Sequence, residues 1–156
     1  MCPNVDTVVK LSDLYSSFLF LFSITEPNFV GSFDTDKYVY FFFRETSVEY
    51  INCGKAVYSR VARVCKKDTG GKNILSQNWA TYLKARLNCS ISGEFPFYFN
   101  EIQSVYQIPN DKTKFYATFT TSTNGLVGSA VCSFDINEIH AAFDGKVFNF
   151  HPKMFV

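Results

Sequence analysis

The feature that most constrains this sequence is a succession of short aromatic and β-branched segments, each closed by a turn signal. Tyr38-Val-Tyr-Phe-Phe-Phe43 has no polar face, as in a strand covered on both sides. Ala56 to Cys65 is strand-like with mixed alternation. In Thr81 to Cys89, Tyr82, Lys84, Arg86 and Asn88 fall on one side and Leu83, Ala85, Leu87 and Cys89 on the other. Phe115, Ala117 and Phe119 oppose Tyr116, Thr118 and Thr120; Ala130, Cys132 and Phe134 oppose Ser129, Val131 and Ser133. The connectors Asp34-Thr-Asp36, Asp68-Thr-Gly-Gly71, Ile91-Ser-Gly93 and Pro109-Asn-Asp111 read as turns, and Asn124-Gly125 is the strongest hairpin signal. One helix is expected over Ile136 to Phe143, with Ile136, Ile139, Ala142 and Phe143 on one face and Gly145 as its stop. The pattern predicts an all-β, mostly antiparallel chain. It fits a sandwich, a barrel or a propeller equally well.

Composition removes several classes. The 156 residues carry 15 Lys+Arg against 14 Asp+Glu, too balanced for the basic face of a nucleic-acid binder. With 18 Phe and 9 Tyr, the chain has apolar area enough for a large core, which excludes disorder for most of it. Leu14 to Ile24 is an apolar run of eleven residues, where a membrane helix needs about twenty. It has the length of a signal-peptide core, yet Asp6 and Asp13 outweigh Lys10 upstream and no clean cleavage site follows, so a buried strand or short helix is the better reading.

Chemistry is sparse. Cys2, Cys53, Cys65, Cys89 and Cys132 are wrongly spaced for zinc, and His140 and His151 lie far from any cysteine pair. Thr69-Gly-Gly-Lys72 lacks the first glycine of a phosphate loop, and Asn73 replaces its Ser/Thr. Gly128-Ser-Ala-Val-Cys132 lacks the second glycine of a nucleophile elbow. Asp34, Asp36, Glu45 and Glu49 offer carboxylates, but turn and strand positions like theirs normally face solvent. His140 reads as a surface residue of the helix. Arg60, Arg63, Lys66, Lys67 and Lys72 against Asp68 suit an anionic partner such as a sulfated glycan. The plainer reading, a solvated hairpin edge guarded by lysine, takes precedence. Asn88-Cys89-Ser90 is the single N-x-S/T sequon.

Read together, five segments resemble the sema domain of semaphorins, in wording closest to invertebrate transmembrane members. They are EPNFVGSF (Glu26 to Phe33), YVYFFFRE (Tyr38 to Glu45), KAVYSRVARVCKKDTGGKN (Lys55 to Asn73), WATYLKARLNCSISGEFPFYFNEIQ (Trp79 to Gln103) and TFTTSTNGLVGSAVCSF (Thr118 to Phe134). The resemblance covers residues 26–146 and leaves a divergent N-terminal segment, 1–25, and a divergent tail, 147–156. It implies part of a seven-bladed β-propeller, about two to three blades with one short helix.

The resemblance also implies an extracellular or cell-surface setting and glycosylation of Asn88. By matching family cysteines it implies a Cys89–Cys132 disulfide between neighbouring strands, with Asn88 pointing outward. It pairs Cys65 with a cysteine beyond this chain, leaving Cys65 unpaired here. Cys53, next to a turn, becomes a candidate intermolecular disulfide in a homodimer. The implied function is binding of a plexin receptor in axon guidance and cell–cell signalling, without catalysis or cofactor. The segment Gly31 to Lys37, with Gly31, Ser32, Asp34, Asp36 and Lys37, is the candidate receptor-contacting loop. The rival expectation is a truncated, non-signalling piece of the domain, unable to fold or bind alone because its sheet faces and closing edge are uncovered.

Overall fold

The computed structural model describes residues 25–47, 56–70, 79–122 and 126–145, together with the backbone of 153–155. These form two four-stranded antiparallel sheets, a two-stranded ribbon between them and one helix. The first sheet runs in chain order through β1 (Asn28–Asp34), β2 (Tyr38–Thr46), β3 (Val57–Cys65) and β4 (Leu83–Arg86). The ribbon is β5 (Ser90–Ile91) with β6 (Phe97–Tyr98). The second sheet is β7 (Glu101–Ile108), β8 (Asp111–Thr120), β9 (Ser129–Asp135) and β10 (Lys153–Phe155), again in chain order. Two consecutive four-stranded meanders are the repeat of a propeller blade.

Burial follows sequence pattern. Tyr40, Phe41, Phe42 and Phe43 are all buried, so β2 is covered on both faces as its unbroken apolar text requires. Tyr40 and Phe42 look towards the second sheet, and Phe41 and Phe43 join a separate cluster with Ala62 and Val64 on the opposite face. The second sheet keeps strict alternation. Phe115, Ala117, Phe119, Ala130, Cys132 and Phe134 are inside, while Thr118, Ser129 and Val131 are exposed. The main core is the space between the two sheets, closed by Phe99, Ile102 and the helix residues Ile136 and Ile139.

The helix α1 (Ile136–Phe143) starts where expected because Asp135 caps it, its side chain accepting from Asn137 N. Gly145, at φ +70°, ends it, donating to the Ala142 carbonyl.

Two expectations change. Gly31 to Asp34 are strand residues of β1, and the turn is confined to Thr35–Lys37. β4 is shorter than the alternation over Thr81 to Cys89 suggests, and Leu83 is exposed, because β4 is the outer edge of its sheet and has a neighbour on one side only. Within the divergent tail, Lys153–Phe155 pairs with β9 across Ser133, Cys132 and Val131 and supplies the fourth strand. The Asn124-Gly125 hairpin and the apolar run Leu14 to Ile24 lie outside the described residues. Among those described, no helix is long and apolar enough to cross a membrane.

Candidate functional site

Two places carry the functional question: the seam between the sheets and the rim at the β1–β2 turn. The seam starts where β1 meets β7. A Cβ on Gly31 would meet Val105 Cγ1 at 2.6 Å, so the absent side chain lets β1 lie against β7. Gly31 is therefore a packing residue. Next, Phe33 and Phe42 both pack on Phe115, with ring centroids 5.2 Å away in each case. Polar stitches run alongside. Arg44 donates to the Ile102 carbonyl at 2.7 Å, and the Ser59 hydroxyl both donates to the Asn100 carbonyl and accepts from Ile102 N, each at 2.7 Å.

A further part of the seam is held by His140, which is not a solvated surface residue. Its Nε2 lies 2.6 Å from the Tyr40 hydroxyl, and Arg63 donates to its Nδ1 at 2.9 Å. An Arg63 donor at Nδ1 places the imidazole proton on Nε2, facing the Tyr40 oxygen; that tautomer is assigned from the network. The Arg63 guanidinium also lies over the rings of Tyr38 and Phe143, at 4.5 and 4.7 Å. Burial holds the His140 pKa below its ordinary 6.5; Arg63 pushes the same way and Asp144 opposes. Burial likewise pushes the Tyr40 phenol up.

A histidine kept neutral in the fold stabilises it above the unfolded pKa of about 6.5, and that contribution is lost as pH falls through the folded value. We expect the urea midpoint to drop between pH 7.5 and pH 5. In His140→Gln, which does not titrate, the pH-dependent drop should be smaller, and equal slopes for both proteins would contradict the arrangement.

The charged stretch after Arg60 is also different from its surface reading. Arg60, Arg63 and Asp68 are buried, as is Glu45. Glu45 Oε1 lies 2.5 Å from Arg60 Nε, a charge contact out of hydrogen-bond line, and accepts from Lys84 Nζ at 2.6 Å. Asp68 accepts from Thr81 N at 2.7 Å, from the Thr81 hydroxyl at 2.5 Å and from Gly70 N at 2.9 Å. Burial raises the Asp68 pKa, but these hydrogen bonds outweigh it and leave the carboxyl below its usual range. Two of the cations offered to an anionic glycan are thus internal, and Lys66 is paired with Asp34. Lys72 and Glu49 lie outside the described residues.

At the rim, Thr35 closes the turn: its hydroxyl donates to the Tyr38 carbonyl at 3.1 Å and accepts from Tyr38 N at 3.3 Å. Asp34 accepts from Lys66 Nζ at 2.9 Å, and that bond holds the Asp34 carboxyl below its ordinary value. Lys112, at the start of β8, acts on the same carboxylate, so both sheets contribute charge to this end. Ser32, Asp34, Asp36 and Lys37 are exposed there, unlike Gly31.

Cys89 and Cys132 form a disulfide with Cα atoms 6.0 Å apart, closing 43 residues of chain. It does not join paired neighbours. Cys132 is flanked by Ala117 of β8 and Met154 of β10, whereas Cys89 follows β4. The bridge therefore ties the segment leaving the first sheet to the third strand of the second. Cys65 is also disulfide-bonded, which corrects the expectation of an unpaired residue. Cys53 lies outside the described residues. Asn88 is half-buried with Oδ1 turned inward, so it points outward less fully than alternation implied.

The sema-domain family model matches residues 102–152, which form most of the second sheet. Semaphorin-2A of Drosophila melanogaster is 71% identical over an alignment covering 92% of this chain and 22% of the relative. The chain is part of a semaphorin sema domain. It spans about a fifth of that relative's length. Among solved structures, Drosophila Semaphorin 2a matches with a TM-score of 0.75 and 74% identity, covering 85% of this chain and 22% of the other. The solved complex of Drosophila Plexin A with Semaphorin 1b matches with a TM-score of 0.72 and 50% identity, covering 85% and 28%. The two sheets are thus consecutive blades of a sema β-propeller, the alternative that local periodicity left undecided.

Proposed function

We propose that this chain supplies two neighbouring blades of an extracellular or cell-surface semaphorin that binds a plexin receptor in axon guidance and cell–cell signalling. It acts by recognition, without catalysis or cofactor. The observation that carries the reading is its likeness to the solved Plexin A–Semaphorin 1b complex at 50% identity over 85% of the chain. The charged β1–β2 rim, where Asp34, Asp36 and Lys37 stand out from a rigid two-sheet base, is the receptor-facing candidate. The protein acts as a homodimer through this domain, so that two receptors are engaged together and the second contact benefits from a raised effective concentration.

The test is binding of the full-length protein to an immobilised plexin ectodomain. The wild type is expected to bind, and Asp34→Lys combined with Asp36→Lys to weaken binding at least tenfold, about 1.4 kcal/mol, with unchanged thermal stability. An unaltered dissociation constant removes the rim from the interface. No binding by the folded wild type removes the function.

A further inference from the structure

The ribbon β5–β6 presents a surface that the receptor reading does not use. Phe99 N donates to the Cys89 carbonyl at 2.8 Å, and Ser90 pairs with Tyr98. In that register Asn88 stands opposite Asn100, and Ser90 opposite Tyr98. All four lie on the face away from the buried Cys89 and Phe99. Arg86, two residues before Asn88, donates to Asn100 Oδ1 at 3.3 Å. Its guanidinium lies 3.6 Å from the Tyr58 ring centroid and 6.0 Å from that of Tyr98. Tyr98 keeps 43% of its surface exposed. The Asn88 carboxamide oxygen is buried, and the residue as a whole is half-buried.

We propose that this patch is a seat for the first sugar of a glycan on Asn88. An N-acetylhexosamine lies with its apolar ring face against Tyr98, and its hydroxyl and acetamido groups meet Arg86 and Asn100. The inference rests on the reading that Asn88-Cys89-Ser90 is a glycosylated sequon, and it adds what that reading lacks: a protein surface that holds the sugar. An aromatic ring presented across the strand from the sequon has an apolar face to offer a pyranose, and a guanidinium already stacked on a neighbouring ring is held in place at little further entropy cost. The consequence is that the sugar stabilises the fold through Tyr98 and is itself shielded.

The test is a mutant cycle on the full chain expressed through the secretory pathway of insect cells, comparing wild type, Asn88→Gln, Tyr98→Ala and the double variant. Mass spectrometry first reports whether Asn88 carries a hexosamine. With the glycan present, Asn88→Gln is expected to lower Tm by about 2–4 °C in the Tyr98 background and by much less in the Tyr98→Ala background. Equal losses in both backgrounds overturn the seat while leaving glycosylation intact. An unmodified Asn88 overturns the sequon reading and the seat with it. Should Tyr98→Ala fail to fold, Tyr98→Leu serves in a second measurement, release of the glycan from native protein by a peptide N-glycanase. Release at least threefold faster than from wild type supports the seat, and equal rates overturn it.

Discussion

Replacing Phe42 with alanine is expected to destabilise the protein by about 3–5 kcal/mol. Phe42 is fully buried, and its ring packs against Phe115 at 5.2 Å and Phe33 at 5.9 Å. It is the point at which β2 of the first blade meets β8 of the second. Truncation loses the transfer energy of the ring and leaves a cavity that two sheets, fixed by their own ladders, cannot close. Against an ordinary domain stability of about 5–15 kcal/mol, that loss is a large share. Urea unfolding should show it as a lower midpoint with little change in slope. Phe29→Ala is the comparison, since Phe29 is 45% exposed and should cost much less. Similar losses for the two variants would mean that the blade seam is not the main core.

The second large effect lies on the opposite face of the same strand. Glu45 has 1% of its side chain exposed and stands with Arg60, itself 9% exposed, and Lys84. β3 and β4 bring these cations together: Arg60 pairs with Arg86, and Lys84 pairs with Ala62 two residues further along. Glu45→Ala removes a buried carboxylate from this group while the Arg60 guanidinium stays buried, a loss that typically costs about 3–5 kcal/mol. Glu45→Gln keeps the shape and one acceptor but not the charge, and should fall between wild type and Glu45→Ala. If both variants melt within a degree of wild type, the buried ion cluster contributes nothing to stability.

These two positions also mark how far the sequence can be read. Phe42 was legible: six residues without a polar member require cover on both faces, and both faces are covered. Phe115 to Phe119 and Ala130 to Phe134 were legible because one buried face imposes a period of two. The helix announced itself through the common face of Ile136, Ile139, Ala142 and Phe143 and through Gly145. Glu45, Arg60, Arg63 and His140 were not legible as internal residues. Their burial depends on partners supplied by other strands and by the helix, with Arg63 and His140 separated by 77 positions. Local text cannot report a partner that lies on another strand or across the blade-to-blade seam. The same limit applies to Gly31. It reads as the start of a loop, yet its want of a side chain is used by Val105 of the next blade. Lys153–Phe155 was missed for a different reason. Three residues are too few to show alternation, and the strand exists because β9 offers it an open edge. Propeller architecture itself came from resemblance over long segments, since two meanders are locally indistinguishable from the halves of a sandwich.

The central claim is that two consecutive sema blades lie face to face, with the segment after β4 tied to β9. It is tested most directly by a disulfide map of the native protein, obtained by mass spectrometry of non-reduced peptides. The account predicts one linked pair joining Cys89 to Cys132 and a second linkage containing Cys65. A free Cys89 thiol, or Cys89 joined to any cysteine other than Cys132, would contradict it.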